Sequence, residues 1–241
     1  RLALPGGVGY GRASLDRSGG VLAAAAPHRD QAVVFDLRSQ SQKTLLQVQR
    51  DPSDIAISPD GKWVATRSYG RAGVRVWDAQ TGRAVGNLPV DSRARLAFSP
   101  DGQWLVTADF AHIRLWKTES WELRHGFAQS QSLSAPAFTR DGKMLAVGIS
   151  HTAVRLINPA TGREFATLEA PDPEPLSCLC FTPDGSRLVA ACETHVIKVW
   201  DLRLIRQQLA EMDLDWDLPP YPEAPPVTRE LIQAKVVGVK R

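Results

Sequence analysis

Three histidines are the residues of this chain that could most readily form a ligand-binding or pH-sensing cluster. His112, His151 and His195 each lie just before a short apolar run that ends near Trp or Ile, and His28 has a similar setting. The histidines do not occupy equivalent positions within their segments, however, and exposed turns accept histidine readily. We therefore interpret them mainly as loop residues.

Metal binding and catalysis find little support in the residue spacing. Cys178 and Cys180 would lie on one face of a strand, but no further ligands follow at a spacing typical of zinc sites. Alignment with Ala56 predicts that Cys180 fills a small buried slot. The glycine-rich segment 6–11 lacks a dinucleotide or P-loop spacing, and no Gly-x-Ser-x-Gly, His-Glu-x-x-His, Walker lysine or kinase catalytic loop occurs. We expect no catalytic residues, no cofactor and no metal.

The composition is that of an ordinary globular protein. The chain has 241 residues, of which 43% are hydrophobic and 23% charged, with a net charge of +3. This small charge predicts neither a nucleic-acid nor an anionic-membrane partner, and no apolar run is long enough to cross a bilayer. Because the chain opens on Arg1, we expect the true N-terminus to lie upstream. Three cysteines form no disulfide framework, which favours a reducing compartment such as the cytoplasm.

One pattern, repeated five times, must position all of these residues. Each segment contains an apolar strand, a tight turn at or near Asp-Gly, a second apolar strand and a third strand that ends at or near Trp-Asp. The turn glycines are Gly19, Gly61, Gly102, Gly142 and Gly185, which are 40 to 43 residues apart. This period predicts an all-β propeller of four-stranded blades. The second strands are almost continuously apolar, which indicates that neighbouring blades cover both faces of each sheet.

The repeat also predicts where the domains lie. Residues 1–203 are assigned to the propeller, and residues 204–241 to the remainder of a short C-terminal helix, a Pro-rich turn and a tail strand. The blades are predicted at about 10–50, 51–91, 92–131, 132–172 and 173–203. Asp201 can cap a helix from about Leu202 to Met212, so the last blade lacks a fourth strand of its own. Either Leu2–Leu4 or the tail Leu231–Val239 would supply that strand, and we favour the tail.

The pattern resembles the WD40 repeat family over about 200 residues, most fully in AISPDGKWVAT…VRVWDAQTG (56–82) and CFTPDGSRLVA…IKVWDLR (180–203). The segment 199–222 is similar to the one that closes WD40 regions in large bacterial serine/threonine protein kinases. Unlike the family, the chain lacks the Gly-His dipeptide. The family's hydrogen-bond network within each blade is matched only in part, by Thr66 with Trp77 and by Thr107 with Trp116. The family most often forms seven blades, so we expect this chain to be the C-terminal part of a larger ring.

The resemblance implies that the loops before the third strands surround the narrower, top face of the propeller. Exposed aromatic and arginine residues are favoured anchors for protein partners. The predicted partner-binding residues on this face are Arg67, Tyr69, Arg71, Arg93, Arg95, Asp109, Phe110, His112, His151 and His195.

The function implied by the resemblance is that of a non-catalytic protein-interaction scaffold or sensor, associated with a bacterial signalling kinase. A protein or peptide partner is expected, and no small-molecule substrate. The alternative is a propeller enzyme or ligand-binding protein with a site in the central channel, which would need several histidines or carboxylates on the first strands. Only Asp54 and Arg95 are charged on the four first strands from Ser53 onward, which argues against this alternative. A third possibility is a purely structural role, in which the propeller spaces two other domains.

Overall fold

The computed structural model describes residues 12–26, 30–48, 52–68, 73–90, 93–129, 134–170, 174–194 and 196–221. These residues form a succession of antiparallel sheets, each built from strands that are consecutive in the chain. The prediction of an all-β, propeller-type fold with about five blades and a short C-terminal helix is confirmed.

Four of the described sheets have four strands, and we number the blades 1 to 5 along the chain. Blade 1 consists of β1 (Arg12–Leu15), β2 (Val21–Ala26), β3 (Gln31–Asp36) and β4 (Ser41–Gln47). Blade 2 consists of β5 (Pro52–Ile57), β6 (Trp63–Ser68), β7 (Val74–Asp78) and β8 (Ala84–Leu88). Blade 3 consists of β9 (Arg95–Phe98), β10 (Trp104–Ala108), β11 (His112–Lys117) and β12 (Leu123–Ala128). Blade 4 consists of β13 (Ala137–Phe138), β14 (Leu145–Gly148), β15 (Ala153–Ile157) and β16 (Glu164–Glu169).

Blade 5 has three described strands, β17 (Leu176–Phe181), β18 (Arg187–Cys192) and β19 (Ile197–Asp201), and leads directly into helix α1 (Leu202–Ala210). The Asp201 side chain caps this helix by accepting hydrogen bonds from the backbone N–H groups of Arg203 and Leu204. The helix ends two residues before the predicted Met212. The predicted tail strand at 231–239 and its alternative at 2–4 both lie outside the described residues. In the described parts of the chain, no helix is long and apolar enough to cross a membrane.

The Ser/Thr-x-Asp-Gly turns join the first two strands of blades 2 to 5. In blade 2 the Ser58 hydroxyl donates to the Asp60 carboxylate at 2.5 Å and accepts from the Trp63 backbone N–H at 2.8 Å. Gly61 takes the left-handed conformation (φ +71°) that closes the turn. The same pair of hydrogen bonds recurs in blades 3, 4 and 5. These carboxylates are therefore occupied by the turns themselves.

The core is divided into clusters that lie between consecutive blades. Val34 and Leu46 of blade 1 pack with Val64 and Trp77 of blade 2, and similar clusters join the later pairs of blades. Two buried indole groups also hydrogen-bond within their own blades. Trp77 Nε1 donates to Thr66 Oγ1 at 2.8 Å, and Trp116 Nε1 donates to Thr107 Oγ1 at 3.0 Å. The two Thr–Trp pairs singled out in the sequence are thus formed.

One face of blade 5 differs from the equivalent faces of the other blades. Val74 and Val76 of blade 2 are fully buried against blade 3, whereas the corresponding Ile197 and Val199 of blade 5 are 69% and 56% exposed. Cys180 is exposed on the same blade. The prediction that Cys180 fills a buried slot is therefore wrong, because the equivalent alanine is covered by the next blade and Cys180 is not.

Candidate interaction surface

The top face is the end of the blades that carries the loops from second to third strands and the connections between blades. The bottom face is the opposite end, which carries the Asp-Gly turns. Of the ten residues predicted to bind a partner, seven lie within the described parts of the chain. Tyr69, Arg71 and His195 lie outside the described residues.

The loop between β10 and β11 is held in place by the buried carboxylate of Asp109. Its Oδ1 atom accepts the backbone N–H groups of Ala111 and His112 at 2.9 and 2.8 Å. Its Oδ2 atom accepts a hydrogen bond from Arg114 at 2.5 Å, and the Gln129 amide donates to the Asp109 backbone carbonyl. The Nδ1 atom of His112 lies 3.8 Å from the same carboxylate. Asp109 therefore fixes the conformation of this loop and is too deeply buried to contact a partner itself.

Phe110 projects from this loop and is 41% exposed. The Arg93 guanidinium, which comes from the connection between blades 2 and 3, lies 5.7 Å from the centroid of the Phe110 ring. His112, at the end of the same loop, is exposed. We call Arg93, Phe110 and His112 the Phe110 cluster. It combines a large apolar ring with a cation on a fixed backbone, which are the features of a protein-binding anchor.

Arg67 was predicted on the exposed top face but is buried. In the antiparallel pairing of β5 with β6, Arg67 lies opposite Asp54. Asp54 is itself buried, lies 3.6 Å from Arg12 Nε, and accepts the Leu96 backbone N–H at 3.2 Å. Burial raises the pKa of Asp54, and the charges of Arg12 and Arg67 oppose that shift. Arg67 thus belongs to a charged network that joins blades 1, 2 and 3.

The remaining two predicted residues lie in less constrained settings. Arg95 is half-buried at the start of β9, opposite Ala108 and therefore next to the Asp109 loop. His151 is exposed in the corresponding turn of blade 4, where Ser150 accepts the backbone N–H groups of Thr152 and Ala153. The structure therefore brings Arg93, Asp109, Phe110 and His112 together, and places His151 one blade away.

A central cavity that the sequence analysis did not identify lies beside the first strands of blades 1 to 3. Its volume is about 650 Å³, and its described charged lining residues are Arg12, Arg17, Asp54 and Arg140. Asp54 supplies the one carboxylate among these described lining residues. Arg12 and Arg17 belong to the weakest copy of the repeat, and Arg140 lies in a turn. The repeat pattern gave no signal that the three arginines would meet at a cavity.

Comparison with protein families agrees with this architecture. The family model for the WD domain, G-beta repeat, matches residues 94–117 and 162–201. The first match spans β9 to β11 of blade 3, and the second runs from the end of blade 4 through blade 5. Over these two segments the chain is similar to the WD40 repeat. WD40 domains generally mediate protein–protein interaction and are typically non-catalytic.

Proposed function

We propose that this chain is a non-catalytic scaffold or sensor that binds a protein partner through its top face, with the Phe110 cluster as the anchor. The observation that carries this proposal is the exposed Phe110 ring, which is paired with Arg93 on a loop fixed by the buried Asp109. A half-exposed phenylalanine gains apolar burial when a partner covers it. Because it lies beside an arginine, it also suits a partner surface with an aromatic or acidic side chain.

The top face would bind its partner through loops that are already held in their binding conformation. The Asp109 loop is held by hydrogen bonds to Ala111, His112, Arg114 and Gln129, so binding would order few additional groups. Pre-organisation of this kind raises affinity because it lowers the entropy lost on association. The blades would therefore act as a frame that fixes the loops without taking part in chemistry.

Co-purification from the source organism tests this proposal. Partners retained by the wild-type chain are quantified by mass spectrometry and compared with those of the double variant Arg93→Ala/Phe110→Ala. The matched control is Leu123→Ala, which removes an exposed apolar side chain from the outer strand β12. We expect the double variant to lose a specific partner by about tenfold or more, as for an interface hot spot. Equal retention by the wild type and the double variant would refute the assignment of the anchor.

We also propose that the chain is the C-terminal part of a larger bacterial signalling protein with a kinase domain upstream. The support is the similarity of segment 199–222 to the closing segment of WD40 regions in such kinases. Sequencing the coding region upstream of Arg1 tests this directly. An open reading frame with a kinase catalytic loop would agree with the proposal, and one without it would contradict it.

A further blade is proposed to pack on the exposed face of blade 5. Ile197 and Val199 correspond to residues that are fully buried between blades 2 and 3, which supports an equivalent contact here. The substitution Val199→Lys should destabilise a parent protein with more blades while leaving the 241-residue chain unaffected. Equal thermal stability of the wild-type and variant parent proteins would count against the additional blade.

A further inference from the structure

Two cavities meet at the bottom of the propeller, on the face opposite the Phe110 cluster. The central cavity of about 650 Å³ reaches the bottom face at Arg17 and Arg140. A second cavity of about 440 Å³ is lined by these same two arginines, by the turns of blades 4 and 5, and by residues 218–221 after helix α1. The two cavities therefore adjoin at Arg17 and Arg140, and we call them together the bottom trough.

The two shared arginines and the exposed Lys143 supply cations to this trough. Arg17 and Arg140 are exposed, and neither forms an ion pair within the described parts of the chain. The Arg17 guanidinium instead donates to the backbone carbonyl of Pro100 at 3.3 Å. This contact holds the Arg17 side chain of blade 1 against the turn of blade 3. Guanidinium groups that form no ion pair favour an anionic ligand.

The carboxylates that line the trough are already occupied. Asp141 accepts hydrogen bonds from the Thr139 hydroxyl and the Lys143 backbone N–H. Asp184 pairs with Arg203 at 2.7 Å, and its hydrogen bonds hold its pKa well below the usual range. Asp54 lies beside Arg12. These hydrogen bonds leave the carboxylates charged, but among the described lining residues the cations Arg12, Arg17, Arg140, Lys143 and Arg206 outnumber the carboxylates Asp54, Asp141 and Asp184, so the trough keeps an excess of positive charge.

The far wall of the trough is apolar and pre-organised by Arg206, which is buried. Its guanidinium donates to the Asp215 carboxylate at 2.8 and 2.9 Å, and to the backbone carbonyls of Leu218 and Pro219 at 2.7 Å. It also lies 5.5 Å from the centroid of the Tyr221 ring. These contacts hold Leu218–Tyr221 in place as an apolar wall beside the cationic end.

We propose that this trough binds an extended acidic peptide segment of a partner. A carboxylate of the peptide pairs with Arg17 and Arg140, and a neighbouring apolar side chain packs against Leu218 and Tyr221. A peptide suits this arrangement, because cationic side chains and the apolar segment Leu218–Tyr221 line the same cavity. This site is independent of the Phe110 cluster and does not rest on the top-face proposal.

Fluorescence anisotropy tests the proposal with a fluorescein-labelled peptide of alternating glutamate and leucine. The same peptide with glutamine in place of glutamate measures the contribution of the carboxylates. The double variant Arg17→Ala/Arg140→Ala removes the two shared arginines and leaves Lys143 in place, and its thermal stability is checked against wild type. The matched control Arg83→Ala/Arg163→Ala removes the same charge at two exposed positions outside both cavities.

We expect the glutamate peptide to bind and the glutamine peptide to bind much more weakly. The Arg17/Arg140 variant should weaken binding by about tenfold or more for each arginine, because each lost charge-assisted hydrogen bond is worth about one decade in Kd. The control variant and Phe110→Ala should each change Kd by less than about twofold. Equal weakening by the two double variants, or no binding at peptide concentrations up to about 1 mM, would overturn the proposal. If free glutamate displaced the labelled peptide as effectively as unlabelled peptide does, the assignment of a peptide ligand would also be overturned.

Discussion

The Trp116–Thr107 hydrogen bond offers a sharp test of how the blades are stabilised. The substitution Thr107→Val keeps the shape of the side chain but removes the oxygen that accepts the indole N–H at 3.0 Å. Thr107 is fully buried and Trp116 is 4% exposed, so water cannot replace the lost acceptor without rearrangement. A buried donor left without a partner costs about 1–3 kcal/mol of the free energy of unfolding.

The assay is reversible thermal and urea unfolding followed by circular dichroism. A loss of 1 kcal/mol should lower Tm by about 2–4 °C for a protein of this size, and the urea midpoint should fall with little change in the m value. The matched control is Thr167→Val on β16, where the threonine is exposed and its hydroxyl donates to Glu164. Surface substitutions of this kind change stability by less than about 0.5 kcal/mol. Equal effects of the two substitutions, or none for Thr107→Val, would refute the reasoning.

Two further predictions concern the turns and the C-terminal segment. Gly102→Ala should destabilise the fold by about 1–2 kcal/mol, because Gly102 has φ +72° and an added Cβ would lie 3.4 Å from Pro59. The control is Gly126→Ala, whose added Cβ would meet no neighbour within 4 Å. An equal loss of stability for both variants in urea unfolding would contradict the turn assignment. Burial raises the pKa of Tyr221 to about 12. The stabilisation that the buried, protonated Tyr221 side chain provides should therefore be complete below the usual tyrosine pKa near 10, and it should be lost as the pH rises through about 12. In an absorbance titration Tyr221→Phe should remove a tyrosinate step near pH 12, and a step that persists unchanged would contradict this burial.

The repeat pattern in the sequence predicted the fold well because it specifies local structure in every blade. The Ser58–Asp60–Trp63 contacts depend on residues within five positions of one another, so their spacing is visible in the chain. The Thr66–Trp77 and Thr107–Trp116 pairs were also identifiable, since the antiparallel register places them on neighbouring strands. The exposure of Cys180 was not predicted, because it depends on which blades surround blade 5.

The candidate sites were only partly predictable. Arg93 and Phe110 were both placed on the top face, although their contact comes from the approach of two separate connections. The burial of Arg67 depends on Asp54, Arg12 and Leu96, which belong to three different blades, and the repeat pattern carries no information on such contacts. The meeting of arginines at the bottom trough arises in the same way, from blades far apart in the chain.

The central question for this protein is whether a partner contacts the Phe110 cluster in the cell. A photo-activatable cross-linking residue at position 110 in the source organism measures this, with the same residue at the exposed position 123 of β12 as the control. We expect irradiation to join the chain to a discrete protein partner at position 110, and this product to be absent at position 123. Cross-linking at neither position, or to the same proteins with equal yield at both, would contradict the assignment of the top face as the partner-binding surface.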